Sequence, residues 1–241
     1  MRRHRQTIKT IKNALTKLGT NYGGWYIPDN IKLDEDSIIY SAGVGEDISF
    51  DLKLIDKYTS QIFLIDPTER SLKHYKEIKE YYKDNNPTIF TGDIQKDYHD
   101  CIKNLNIDLD KIEYLNIGLW DKKDKLKFFK PVNQKYVSHS LIEGMTSENY
   151  DIVEVDNVKN IMVNNNHDYI DLLKLDIEGA EIKVINQMLD DHIYPTYLLV
   201  EFDLFLQNKD KNKETYKILE RLKQYYEILK NDNYNITFKR K

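Results

Sequence analysis

The sequence predicts an α/β fold built on an open, largely parallel sheet, and three observations carry that expectation. Short apolar runs alternate with stretches of helical periodicity from about residue 38 onwards. Parallel neighbours need crossover connections, and the helical stretches supply them. Several of the nine glycines fall at the ends of the apolar runs, where a chain must turn tightly.

Residues 1–28 contain Arg2, Arg3, Arg5, Lys9, Lys12 and Lys17 and no acid. Ile8, Ile11, Leu15 and Leu18 recur at helical spacing, so this segment reads as a basic amphipathic helix, packed on the domain or facing an anionic surface, or as a transit-like leader. Tyr22, Gly23, Gly24 and Trp25 follow, with flexible glycines beside aromatic rings, the makings of a lid over a ligand. The main domain is then 29–241. Within it IIYSA (38–42) reads as a strand, followed by helix through Tyr58, and QIFLID (61–66) as a strand before a helix from Glu69 to Tyr82. IEYLNIGLW (112–120) reads as the third strand, with KLKFFKP (125–131) as its hairpin partner. LLKLDI leads into a helix near 180–190, TYLLVEFD (196–203) is a further strand, 213–229 is helical and YNITFKRK closes the chain as an edge strand.

At 241 residues the chain suits one domain with a substantial core. Hydrophobic residues at 40% and charged residues at 32%, both signs interspersed, exclude a disordered or membrane-embedded class. No apolar run approaches the roughly 20 residues of a spanning helix. No apolar signal segment opens the chain, and Cys101 is a single cysteine, so a cytoplasmic protein is expected. The net charge of −4 gives no general attraction to nucleic acid.

Ligands in open α/β sheets bind at the carboxyl ends of the strands, so those ends supply the candidate site. Gly43 and Gly45 follow the first strand of the sheet, Gly118 lies in the third and Gly179 follows LLKLDIE. Asp66 ends the second strand at a distance from Gly43 that suits an acid on the ribose of a bound nucleoside. The same Asp66, ahead of Pro67, is a sound N-cap, and the two roles are compatible. The dinucleotide fingerprint needs a third glycine where this chain has Ile48, which argues against NAD or NADP.

Four segments resemble the FkbM-type S-adenosylmethionine-dependent methyltransferases: SAGVGEDISFDLKLI (41–55), FLIDPTERS (63–71), YLNIGLWDKKDKLKFF (114–129) and above all LLKLDIEGAEIKVI (172–185). The resemblance implies a Rossmann-like, seven-stranded class I methyltransferase fold, a mostly parallel sheet with helices on both faces. It also implies S-adenosyl-L-methionine as cofactor and O-methylation, most plausibly of a sugar hydroxyl in glycan or nucleotide-sugar biosynthesis. By this resemblance Gly43 and Gly45 lie beside the methionine part of the cofactor, Asp66 and Pro67 at the ribose, and Gly118, Leu119 and Trp120 near the adenine. Ser41 stands where an acid is common and Asp47 where a third glycine is common, so Asp47 or Glu46 is expected to supply the displaced charge to the cofactor's ammonium.

Methyl transfer from a sulfonium to oxygen is an in-line displacement, and a neutral sugar hydroxyl gains from a general base. Asp176, Glu178 and Glu181 follow the signature strand, either as site acids or as stabilisers of the helix after Gly179. Asp176 is the leading candidate to face the methyl group, with Lys174 as its partner; Glu201 and Asp203 form a second acidic pair nearby, and His139 is an alternative base. Tyr22, Trp25, Lys174 and Asp203 are expected to bind the acceptor, a sugar or nucleotide-sugar, and no metal site is assigned. Two rivals remain open: a non-catalytic module that keeps the nucleoside pocket, and a Rossmann-type oxidoreductase or nucleotide-sugar-modifying enzyme.

Overall fold

The computed structural model describes residues 14–84, 90–92, 94–133, 138–144, 147–203 and 212–241. Leu15–Leu18 (β1) and Trp25–Pro28 (β2) form an antiparallel hairpin. Leu15 and Leu18, expected on a helical face, therefore lie in a strand. Gly19 at φ +98° turns the chain out of any helical course, and the hairpin buries Leu18, Trp25 and Ile27 together. The remainder of the expected basic helix, residues 1–13, lies outside the described residues.

A run of strand and helix follows: Ile38–Ala42 (β3), Ser49–Tyr58 (α1), Gln61–Ile65 (β4), Glu69–Asp84 (α2), Tyr98–Ile102 (α3) and Ile112–Leu115 (β5). An insertion then contains Gly118–Leu119 (β6), Asp124–Phe129 (β7), Tyr150–Asp156 (β8) and Val158–Asn164 (α4). The chain closes with Leu172–Leu175 (β9), Glu181–Asp190 (α5), Tyr197–Glu201 (β10), Asn212–Leu222 (α6), Tyr226–Asp232 (β11) and Asn235–Arg240 (β12).

The main sheet has the order β11-β12-β10-β9-β3-β4-β5. Its four pairings from β10 to β5 are parallel, whereas β12 runs antiparallel to both β10 and β11, so the sheet is mixed. Its central strands are buried on both faces, as parallel strands must be, and their period-two alternation divides the core. Tyr40, Phe63, Leu173 and Leu198 pack with α4, α5 and α6. Ile39, Ile62, Leu172 and Tyr197 face the other way, toward α1, α2 and α3.

Four expectations about elements are corrected. The 112–120 segment is two strands, because a tight turn about Asn116, with the Ile117 amide donating to the Leu115 carbonyl at 2.8 Å, ends β5. The partner of β7 is β8, which also pairs in parallel with β6. The 213–229 helix stops at Leu222, where Thr215, Ile218 and Leu222 complete its buried face, and the chain continues into β11. The final strand lies inside the sheet, since Ile236, Thr237 and Phe238 are all buried, and β11 is the edge.

Candidate active site

Chain order reverses between β3 and β9: β4 and β5 lie on one side of β3, β9 and β10 on the other. A crevice opens outside the carboxyl ends of the strands at such a switch point. Here a cleft of about 810 Å3, counting open solvent at its mouth, is lined by the ends of β3, β4 and β9.

Gly43 leaves β3 at φ +74°, and a Cβ there would sit 1.5 Å from the carbonyl oxygen of Asp176. Only glycine lets the two chains cross this closely. The turn is held from the side by Asp66. One of its carboxylate oxygens accepts the amides of Val44 and Gly45, both at 3.0 Å, and the other accepts the Thr68 amide at 2.8 Å and the Thr68 hydroxyl at 2.6 Å. Asp66 is thus both the anchor of the glycine turn and a cap ahead of α2.

Lys174 rises from β9, 4% exposed, and its Nζ donates to the Gly43 carbonyl at 2.8 Å. The same ammonium lies 3.5 Å from Asp176 Oδ2 and 5.9 Å from the centre of the Trp25 ring. Beneath it Asp51 of α1 is buried; burial pushes its carboxyl up and the charge of Lys174 pulls it back.

The turn after β9 carries an uncommon backbone. Glu178 at φ +53° and Gly179 at φ +96° are both left-handed, a conformation that costs a non-glycine residue about 1–2 kcal/mol. Two clamps hold it. The Ser140 hydroxyl donates to the Glu178 carbonyl at 2.6 Å, and the fully buried Glu181 accepts the amides of Gly179 at 2.9 Å and Ile177 at 3.3 Å. Burial, the nearby charges of Asp203 and Asp176, and an opposing contribution from Ser138 leave the Glu178 carboxyl raised to about 7.

Glu201 and Asp203 stand at the end of β10, behind the residues that line the cleft. Burial raises both carboxyls, with Asp176 adding to each. Glu181 is raised too, by burial and then by Asp203, and each of these two acids keeps one buried oxygen with no hydrogen-bond donor. A proton shared between them satisfies both. Among the described residues no group of three or more His, Cys, Asp or Glu side chains is arranged to hold a metal ion.

At the mouth, Tyr22 is largely exposed, and partial desolvation followed by the charges of Asp176, Glu178, Glu201 and Asp47 pushes its hydroxyl up to about 12. The loop that carries it is anchored: Thr20 donates through Oγ1 to Asp47 at 2.5 Å, and the Thr20 amide donates to Ser49 Oγ at 2.8 Å. Glu46 forks onto Arg70 at 2.9 and 2.6 Å. Gly118, Leu119, Pro67 and His139 also line the cleft, His139 with its ring 5.2 Å from that of Phe128.

Besides Glu201 and Asp203, three further expected site residues do not line the cleft. Ser41 is fully buried, Trp25 belongs to the core beside α1, and Trp120 packs with Val155 and Ala180. Ser41 is turned inward by the alternation of β3, whereas Trp25 opens β2 and Trp120 lies just past β6, and both rings are taken up by the core. Thr68, Phe128 and Ser138 line the cleft without having been singled out. Thr68 carried a local signal, since Asp-x-Thr suits an Asx-type turn; Phe128 and Ser138 reach the cleft through the pairing of the insertion, which no short motif encodes.

The family model of the methyltransferase FkbM domain matches residues 23–234. The chain belongs to the FkbM methyltransferase family. No curated protein matches it. Two solved structures are similar to this FkbM chain at 10% identity: a protein assigned as an rRNA-methylase from Clostridium thermocellum (TM-score 0.41; 86% of this chain and 88% of that one) and a fibrillarin/Nop5p complex (TM-score 0.42; 86% and 73%). Family membership makes methyl transfer the general activity of the FkbM domain and calls for a methyl donor of the S-adenosylmethionine type. The cleft suits such a donor, with Asp66 at the β4 end and charges of both signs at the Gly43 turn. No helix among the described residues is long and apolar enough to cross a membrane.

Proposed function

We propose that the chain transfers a methyl group from S-adenosyl-L-methionine to a hydroxyl oxygen of a sugar acceptor. One observation carries the reading: a single cleft at the switch point joins a glycine turn and Asp66, suited to a nucleoside, to the carboxyl groups of Asp176 and Glu178. The donor supplies a methyl on a sulfonium, and anionic walls favour that cationic ligand. A ribose hydroxyl at Asp66 would take the place of the Thr68 hydroxyl on Oδ1.

The acceptor hydroxyl lies beyond the methyl, and its proton needs a base in hydrogen-bond reach. Glu178 suits that task better than the other candidates. It lines the cleft and, at about 7, is substantially ionised at neutral pH yet basic enough to take a proton. Glu201, raised further by burial and by Asp176, holds its proton instead. His139 lines the insertion side of the cleft.

Calorimetry with S-adenosylmethionine, S-adenosylhomocysteine and NAD is the first test. Binding of the first two without NAD is expected, followed by methyl incorporation into a panel of methyl glycosides. Tight binding of NAD with no affinity for either sulfur compound would sink the proposal.

A further inference from the structure

We infer that Lys174 and Asp176 form a charge clamp for the amino-acid end of the methyl donor, the lysine taking the carboxylate and the aspartate taking the ammonium. The inference rests on the donor reading above and adds the two residues that read the methionine moiety. A zwitterion held at one carbon presents opposite charges side by side. Its complement is a fixed cation beside a fixed anion, and Lys174 Nζ and Asp176 Oδ2 stand 3.5 Å apart.

The cation side has one candidate. Lys174 is the sole lysine or arginine lining the cleft among the described residues. An ammonium carries three donors. One is bound by the Gly43 carbonyl, which places the group at the glycine turn and leaves capacity for a ligand carboxylate.

The anion side is settled by what the other carboxylates already do. Glu46 is forked by Arg70 of α2. Asp47 accepts the Thr20 hydroxyl and, at 3.0 Å, the Ser49 amide. Asp66 has four donors from the turn and Thr68. The ammonium contact expected at Glu46 or Asp47 is therefore better made by Asp176, whose side chain is 30% exposed and whose ion-pair partner is Lys174. This use of Asp176 also separates donor binding from proton removal, which falls to Glu178.

The test is a cycle of ligand and protein changes on the full chain, read by calorimetry. The ligands are S-adenosylmethionine, its decarboxylated form, which keeps the amine, and 5′-methylthioadenosine, which lacks both charges. Removing the carboxylate is expected to weaken binding to the wild type by about tenfold to a hundredfold, as for a lost charge-assisted contact. Lys174→Met should bind the first two ligands alike, and Asp176→Asn should lose a similar factor for S-adenosylmethionine. Both variants should hold 5′-methylthioadenosine as the wild type does. A wild type indifferent to decarboxylation, a Lys174→Met that keeps the wild-type ratio, or variants that lose 5′-methylthioadenosine equally would each overturn the clamp. A wild type that binds none of the three ligands would overturn the donor reading itself. Equal binding of all three would overturn only the clamp.

Discussion

A Cβ on Gly43 would lie 1.5 Å from the Asp176 carbonyl oxygen, and φ there is +74°, so both space and backbone oppose any side chain. Gly43→Ala is expected to cost more than about 3 kcal/mol in a urea titration, by strain and by pushing β9 from β3. The sequence located this glycine at a tight turn, whereas the crowding comes from Asp176, just past β9 and 133 positions later in the chain. Glu178 yields a prediction about pH. Its carboxyl is raised from an ordinary 4.5 to about 7, so its contribution to stability is complete below 4.5 and lost as pH rises through 7. Glu178→Gln removes that loss. The variant should be more stable than wild type at pH 8, by up to about 3 kcal/mol, and equal to it near pH 4. Thermal melts at both pH values check this, and a variant less stable at pH 8 contradicts it.

The β1–β2 hairpin brings Tyr22 to the cleft because its loop is stapled to the start of α1. Thr20 makes that staple twice, and the Gly23 amide donates to its hydroxyl at 2.9 Å. Thr20→Val should cost about 1–2 kcal/mol and open the 19–24 loop to proteases, measured by urea midpoint and by the rate of limited cleavage. Resistance equal to wild type would mean that the loop is held by other contacts. Elements with one buried face and a long period were legible: α1, α2 and α5, and the largely apolar strands β3, β4, β9 and β10. The hairpin was not, because the three-residue spacing of Leu15 and Leu18 suits a helix until Gly19 is known to be left-handed. The strand β8 was missed because YDIVEVD alternates acids with β-branched residues, and its exposed Tyr150 and Ile152 give no core signal.

On the scale of the molecule, β12 ties the two ends of the chain together. Thr237 donates through its hydroxyl to the Tyr26 carbonyl at 2.7 Å, across 211 residues, while Ile236 and Phe238 are buried between β10 and β11. Phe238→Ala should lower stability by about 3–5 kcal/mol and loosen the hairpin with it, seen as coincident loss of both by hydrogen exchange. Loss confined to β11 and β12 would show the two ends to be independent. The strand order has a further consequence, for synthesis. β3 lies inside the sheet, yet its second neighbour β9 is encoded 130 residues later. At roughly 5–20 residues per second, the free edge of β3 waits on the order of 6–30 s on a growing chain before it is paired. An apolar strand with an unpaired edge invites wrong partners in that interval. The domain is thus committed to folding after most of it has left the ribosome, in the company of whatever chaperones guard that edge.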